Sequence, residues 1–331
     1  MVNDVRISIA LTTYNGAAFL EEQIHSFLHQ SILPTELIAR DDLSTDHTVV
    51  ILKQSLESSP FIHRVMVNTD NLGYVRNFNA VLHEVSGEVV FLSDQDDYWL
   101  PSKIERVLHA FETNPSALLV IHDLEFCDAK LNPVGQTKIQ RFRWSSGSLD
   151  HYVTGMATAI RGDFLSLCLP VPADSFTHDA WLHACAQVIG GRLVLPEVLA
   201  LYRRHGSNAA GDLTINYPGR LSALAMMLQR MHQAFFANDM SGLRKRTERG
   251  RVLREWMMNK KSELLASGFC TADKFSQSLD KLEQDILKVR NRMAIRQLNR
   301  MQRMLPALRL HLSEGLGWRA FANLIKDVVV K

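Results

Sequence analysis

Apolar positions in the first hundred residues alternate between strand-length runs and helical spacing. Arg6 to Thr13 (R-I-S-I-A-L-T-T) reads as a buried strand, and Tyr14-Asn15-Gly16 turns the chain out of it. From Ala18 to Gln30 the residues Phe19, Ile24, Phe27 and Leu28 keep a helical period until Pro34 interrupts it. Glu36 to Arg40 is a second strand ending in Asp41-Asp42, and Ser44 or Thr45 opens a helix through Leu56. Residues 62–67 form a third strand that stops at Asn68. Leu72 to Glu84 is helical, and residues 88–92 form a fourth strand ahead of Ser93-Asp94-Gln95-Asp96-Asp97. This alternation over about 95 residues predicts an α/β chain with a parallel, doubly wound sheet. Ligands on such sheets bind beyond the carboxyl ends of the strands. Thr13-Tyr14-Asn15, Asp41-Asp42, Asn68 and Asp94 to Asp97 all fall there.

Further on, Lys103 to Glu112 reads as a helix and Ala117 to Ile121 as a strand, while residues 130–152 read as irregular, a loop or hairpin. Asp179 to Ile189 is helical, and Leu193 to Leu195 with Val198 to Tyr202 reads as a late strand pair around Pro196-Glu197. From about residue 216 the texture changes to long, basic, Met- and Leu-rich helices with breaks near Asn238, Gly268 and Pro306. The expected division is a domain over 1–215 and a basic helical region over 216–331. Charge follows it: the net +2 hides −10 in the first part and +12 in the second. A basic tail of this kind suits an anionic surface.

The chain of 331 residues suits one large α/β domain with an extension, or two domains. Its four cysteines lack a C-x-x-C pair and fit neither a disulfide framework nor a zinc cage, so a reducing cytoplasm is expected. No signal peptide is expected at the N-terminus, and no run of about 18 apolar residues predicts a membrane-spanning helix.

The acidic turn carries the first chemical expectation. Three carboxylates within four positions repel one another, and a hard divalent ion sharing its shell with phosphate oxygens relieves that repulsion. Taken alone, the turn reads equally as a surface loop with Asp96 or Asp97 capping a helix near Pro101.

Taken together, I-S-I-A-L-T-T-Y-N-G, R-D-D-L-S-T-D, N-L-G-Y-V-R-N-F-N and F-L-S-D-Q-D-D-Y-W resemble, in order and spacing, the family 2 glycosyltransferases of GT-A fold. Bacterial rhamnosyltransferase-like enzymes of surface-polysaccharide synthesis are the most similar in feel. The resemblance covers roughly residues 5–210. It implies a Rossmann-like, mostly parallel sheet and places Thr13, Asn15, Asp41, Asp42, Arg76 and Asn77 along the donor nucleotide. Asp41 would accept a hydrogen bond from a pyrimidine imide, which a carboxylate suits. Asp42 or Ser44 reads alternatively as a helix cap, and Arg76 and Asn77 as a solvated helix face. Asp96 would ligate Mg²⁺ or Mn²⁺, with Asp94 on the ribose or in the ion's water shell. His178-Asp179 matches the position of the general base, where His replaces the first acid and Asp179 alone inherits the role. Leu201 to Asn208 resembles the segment closing the catalytic domain, with His205 facing phosphate or metal and Arg203 supporting it.

The expectation is an inverting, metal-dependent transfer from a UDP- or dTDP-sugar to a saccharide, lipid-linked in the family's surface-polysaccharide members. Gln140 to Trp144 fits Q-x-x-R-W, but it precedes Asp179 and is read as coincidence, with a basic-aromatic loop near the acceptor as the alternative. The tail, with Met226, Met231, Leu279 and Ile286 at helical spacing and Trp318 and Phe321 near its end, suits packing, a second subunit, or the inner membrane face. Nucleic acid is not an expected partner. A sugar-nucleotide nucleotidyltransferase and a non-catalytic nucleotide-sugar scaffold are the alternatives, although Thr12 to Ala17 lacks the Gly-rich basic loop of the former.

Overall fold

A computed structural model describes residues 5–146, 149–204 and 240–298, with positions 302, 306–308, 310 and 328. Two compact units result: one holds the described chain up to 204 with Glu263–Cys270, the other 240–262 and the positions from 271 onward.

The first unit is built on a sheet of order β3-β2-β1-β4-β8-β6-β9-β5, with β7 paired to β6. Its strands are β1 (Ile7–Thr13), β2 (Glu36–Asp41), β3 (Ile62–Val67), β4 (Val89–Ser93), β5 (Tyr98–Trp99), β6 (Leu119–Cys127), β7 (Pro133–Thr137), β8 (Thr158–Arg161) and β9 (Arg192–Arg203). Strands β1 to β4 are mutually parallel, as the alternation predicts. β1 is buried along its whole length. Its Ile7, Ile9 and Leu11 join a core with Leu20, Ile24 and Phe27 of α1 (Leu20–Leu28) and Leu52 and Leu56 of α2 (Thr48–Leu56). Phe78, Val81 and Leu82 of α3 (Tyr74–Leu82) are buried where that helix packs on β1 and β2. Successive strand residues point to opposite faces, so a central strand covered on both sides is apolar throughout.

Three features depart from the expected pattern. β8 runs antiparallel between β4 and β6, and no strand was expected there. Residues 130–152 hold not only the β6–β7 hairpin but a helix, α5 (Lys138–Ser146). The expected late strand pair is one strand, β9. It runs parallel to β6, and its register breaks between Leu195 and Val198, bulging at Pro196-Glu197 because proline has no N–H to pair. Helices α4 (Lys103–Thr113), α6 (Gly162–Cys168) and α7 (His178–Val188) complete the unit.

In the tail lie α8 (Met240–Asn259), α9 (Lys261–Ala266) and α10 (Ala272–Gln297), the last capped by the Thr271 side chain. Within the second unit Arg254 pairs with Glu283, and Gly250 closes against Ile286. Val289 is buried and Leu279, Leu282 and Ile286 are half-buried, so this expected stripe is a packing face. Met226, Met231, Trp318 and Phe321 lie outside the described residues.

Candidate active site

Strands β1, β2 and β4 end in a row, and each hands its chain to a polar loop. After β4 the acidic turn is tied to the loop after β1 by Gln95. Its Oε1 accepts from Tyr14 N–H at 2.8 Å, and its Nε2 donates to Tyr14 O at 3.0 Å. Neither Asp96 nor Asp97 caps α4, whose N-cap is Ser102. Asp97 is fully buried, accepts from Arg203 N–H at 3.2 Å through Oδ1, and leaves Oδ2 without a hydrogen-bond partner.

Electrostatics shows what the turn gathers. Burial first, then the charges of Asp96 and Asp179, push the Asp94 carboxyl up to about 7, against the pull of Lys138 and Lys103. Burial, Asp96 and Asp94 likewise hold Asp97 well above the usual carboxylate range. Asp179, 85 positions from Asp94 in sequence and at the start of α7, is thus brought beside the turn. Its Oδ1 accepts from the Thr177 hydroxyl at 2.6 Å and Ala180 N–H at 2.8 Å. Burial would raise the Asp179 carboxyl, but His178 and these donors hold it below its ordinary value. His178 stacks on Phe78 at 3.7 Å, and burial lowers its imidazole to about 4, so it is neutral at pH 7.

At the ends of β1 and β2, the Thr13 hydroxyl donates to Asp41 Oδ2 at 2.7 Å, and Ser44 donates to both Asp41 oxygens. Asn15 joins the same loop: its N–H donates to Ser44 Oγ and its Oδ1 accepts from Thr45 N–H. Asp42 does different work. It accepts from Asn68 Nδ2, Leu72 N–H and Gly73 N–H, each at 2.8 Å, and so clamps the segment entering α3. Asn77 is buried with both amide atoms engaged, accepting from Asn68 and donating to Arg40 O. Its neighbour Arg76 faces outward, 3.7 Å from Asp174.

Arg203 is a scaffold for the acidic turn. Only 1% exposed, it donates through Nε to Asp96 O at 2.9 Å, through Nη1 to Ala129 O at 2.6 Å, and through Nη2 to Glu22. His205 lies outside the described residues.

Residues 8–162 match the family model described as glycosyl transferase family 2. Over those residues this chain is similar to glycosyl transferase family 2. A glycosyltransferase of Nostoc, itself uncharacterised, is 28% identical over 215 residues, covering 62% of this chain and 66% of that protein, just under two thirds of its length. The dTDP-rhamnosyl transferase RfbG of Shigella flexneri is 25% identical over 234 residues, 67% of this chain and 81% of that protein. In fold the chain is similar to S. aureus TarS, solved in complex with UDP-GlcNAc: TM-score 0.52 at 16% identity, covering 98% of this chain and 89% of that one. The fold is GT-A, with a helical C-terminal region.

Among the described residues, no group of three or more His, Cys, Asp or Glu side chains is arranged to hold a metal ion alone. The donors that stand together are hard carboxylate oxygens, mutually repelling, with a buried orphan oxygen on Asp97. That chemistry fits Mg²⁺ or Mn²⁺ completing its shell with ligand oxygens. Sequence reasoning missed Gln95, hidden between the acids, and Lys138, in the segment read as irregular. It also passed over Lys103, which is fully buried, 3.4 Å from the Trp99 ring centroid, and donates to Met156 O at 2.7 Å. The P-S-K sequence at a helix start gave no sign of that burial.

Proposed function

We propose that this chain is an inverting glycosyltransferase that moves a sugar from a UDP- or dTDP-linked donor to a hydroxyl of a saccharide acceptor, lipid-linked in surface-polysaccharide synthesis. The observation that carries this reading is that Asp94, beside Asp96 at the carboxyl edge of the sheet, stands within electrostatic reach of Asp179. RfbG, a dTDP-rhamnosyl transferase by name, supports a 6-deoxyhexosyl or related donor.

In this reading Thr13, Asn15 and Asp41 shape the nucleotide end, with Asp42 and Asn77 holding the loops behind it and Arg76 at its rim. Asp96, with Asp94, would hold a divalent ion, which when bound neutralises diphosphate charge. Arg203 fixes the backbone at Asp96, and the role of His205 toward phosphate or metal stays an expectation from the sequence. Asp179 is kept ionised by hydrogen bonds from Thr177 and Ala180, ready to take the proton from the acceptor hydroxyl as its oxygen attacks the anomeric carbon. Attack from that side, opposite the leaving diphosphate, inverts the sugar.

General-base assistance is worth about 10²–10⁴ in rate. Asp179→Asn should therefore lower kcat by about that factor while UDP binding, followed by calorimetry, stays near wild type. Full turnover in the variant would reject Asp179 as the base.

A further inference from the structure

Asp179 accepts hydrogen bonds from Thr177 and Ala180, both within two positions of it. Such bonds orient the carboxylate on its own helix and move with that helix. Where the start of α7 sits depends on contacts with other elements, and its first residue supplies several. His178 is 5% exposed, and its ring stacks 3.7 Å from that of Phe78 on α3 with 18° between the planes. Tyr74, the first residue of α3, meets the same ring edge-on at 6.2 Å. At the Nε2 edge stands Gly155. A Cβ there would lie 3.0 Å from His178 Nε2 and 3.9 Å from Asp179 Cβ, so this backbone closes on the ring because it carries no side chain.

Both contacts lead back to the loops at the carboxyl edge of the sheet. The segment entering α3 is clamped by Asp42 through Leu72 and Gly73, and Asn77 ties the helix to Asn68. Gly155 precedes Met156, whose carbonyl accepts from Lys103 Nζ at 2.7 Å. That nitrogen lies 3.4 Å from the ring centroid of Trp99, two residues after Asp97. The nucleotide end and the acidic turn are therefore linked, through packed and hydrogen-bonded groups, to one imidazole, and the next residue is the proposed base. Links of this kind act through shape. Among the described residues neither nitrogen of His178 has a hydrogen-bond partner, and burial keeps the ring neutral at pH 7 by lowering it to about 4. Unmatched buried nitrogens cost stability, so a phenyl ring in this place should stack as well and hold the fold at least as firmly.

We propose that His178 is a positioning residue: its ring, packed on Phe78 and Gly155, sets Asp179 against the donor loops, and its nitrogens take no part in the transfer. The inference rests on the glycosyltransferase reading above and deepens it by assigning the residue beside the base.

The test compares His178→Phe and His178→Ala in the full chain, each alone and combined with Asp179→Asn. Turnover is read as Mn²⁺-dependent release of UDP or dTDP from a nucleotide sugar that wild type uses. The start of α7 is read separately, by amide hydrogen exchange over residues 177–182. His178→Ala should lower kcat by about 10²-fold, the cost of a reacting group misplaced by about 1 Å, with KM for the nucleotide sugar within about threefold of wild type. His178→Phe should recover kcat to within about threefold of wild type. In the Asp179→Asn background His178→Ala should cost less than about twofold more, because it acts through a carboxylate already removed, whereas a general loss of fold would add there too. Exchange at the start of α7 should quicken by about tenfold or more in His178→Ala and stay within about twofold in His178→Phe. A Phe variant as slow as the Ala variant would assign the chemistry to the imidazole nitrogens and overturn the proposal. Wild-type turnover in His178→Ala would overturn it equally, as would additive losses in the double variants. If His178→Ala fails to fold, His178→Leu, which fills the site without a flat ring, replaces it under the same criteria. Wild type that releases nucleotide from no UDP- or dTDP-linked sugar sinks the glycosyltransferase reading instead. Hydrogen exchange then decides alone, and unchanged exchange in His178→Ala overturns the positioning role.

Discussion

Burial and the carboxylates of Asp96 and Asp179 bring Asp94 to about 7, so near neutrality it holds a proton about half of the time. A cation bound there must displace that proton. Mn²⁺ affinity should therefore rise about tenfold per pH unit below 7 and flatten above it, and Asp94→Asn should remove the slope. Mn²⁺ titrations between pH 5.5 and 8.5 check this; a pH-independent wild-type affinity would contradict it. The acidic turn stood out in sequence because several polar strand ends agreed, whereas alone it read equally as a surface loop. Gln95 and Lys138 were not, since an amide between acids and a lysine in an aperiodic stretch carry no pattern. Asp42 and Asn77 show the complementary difficulty: polar residues at a strand end or helix start read as ligand groups, yet here they hydrogen-bond loops together.

One side chain ties two of the loops at the site. Gln95 bridges the turn after β4 to the loop after β1, and a Cβ on Gly16 would stand 2.1 Å from Gln95 Oε1. Gly16→Ala should destabilise the protein by about 1–2 kcal/mol by pushing the Gln95 amide off its two hydrogen bonds to Tyr14. In a Gln95→Ala background the same change should cost far less, because the colliding atoms are gone. Urea unfolding of the two single variants and the double variant reads the difference; equal penalties in both backgrounds would refute the coupling. The parallel strands β1 to β4 were legible since each pairs a short apolar run with a helix of clear period. β8 was not, being four residues inserted antiparallel by long-range pairing. α5 was missed because Ile139 is buried while Lys138, Gln140, Arg141 and Arg143 leave little apolar periodicity.

Across the whole molecule, hydrogen-bonded loops follow β1 and β2 on one side of β4, and cations of α5 stand over rings of β6 and β9 on the other. The shift from acidic to basic composition near residue 216 marks where the texture changes, and no described helix is long and apolar enough to cross a membrane. The proposed reaction is transfer from a nucleotide sugar at acids that would hold a cation between them. Release of free UDP or dTDP from a panel of nucleotide sugars, measured with Mn²⁺ and then with excess chelator, tests that most directly. The account requires release from at least one UDP- or dTDP-linked sugar in Mn²⁺, its loss on chelation, and none from the Asp94→Ala/Asp96→Ala protein. Turnover that continues undiminished under chelator and in that variant would contradict it.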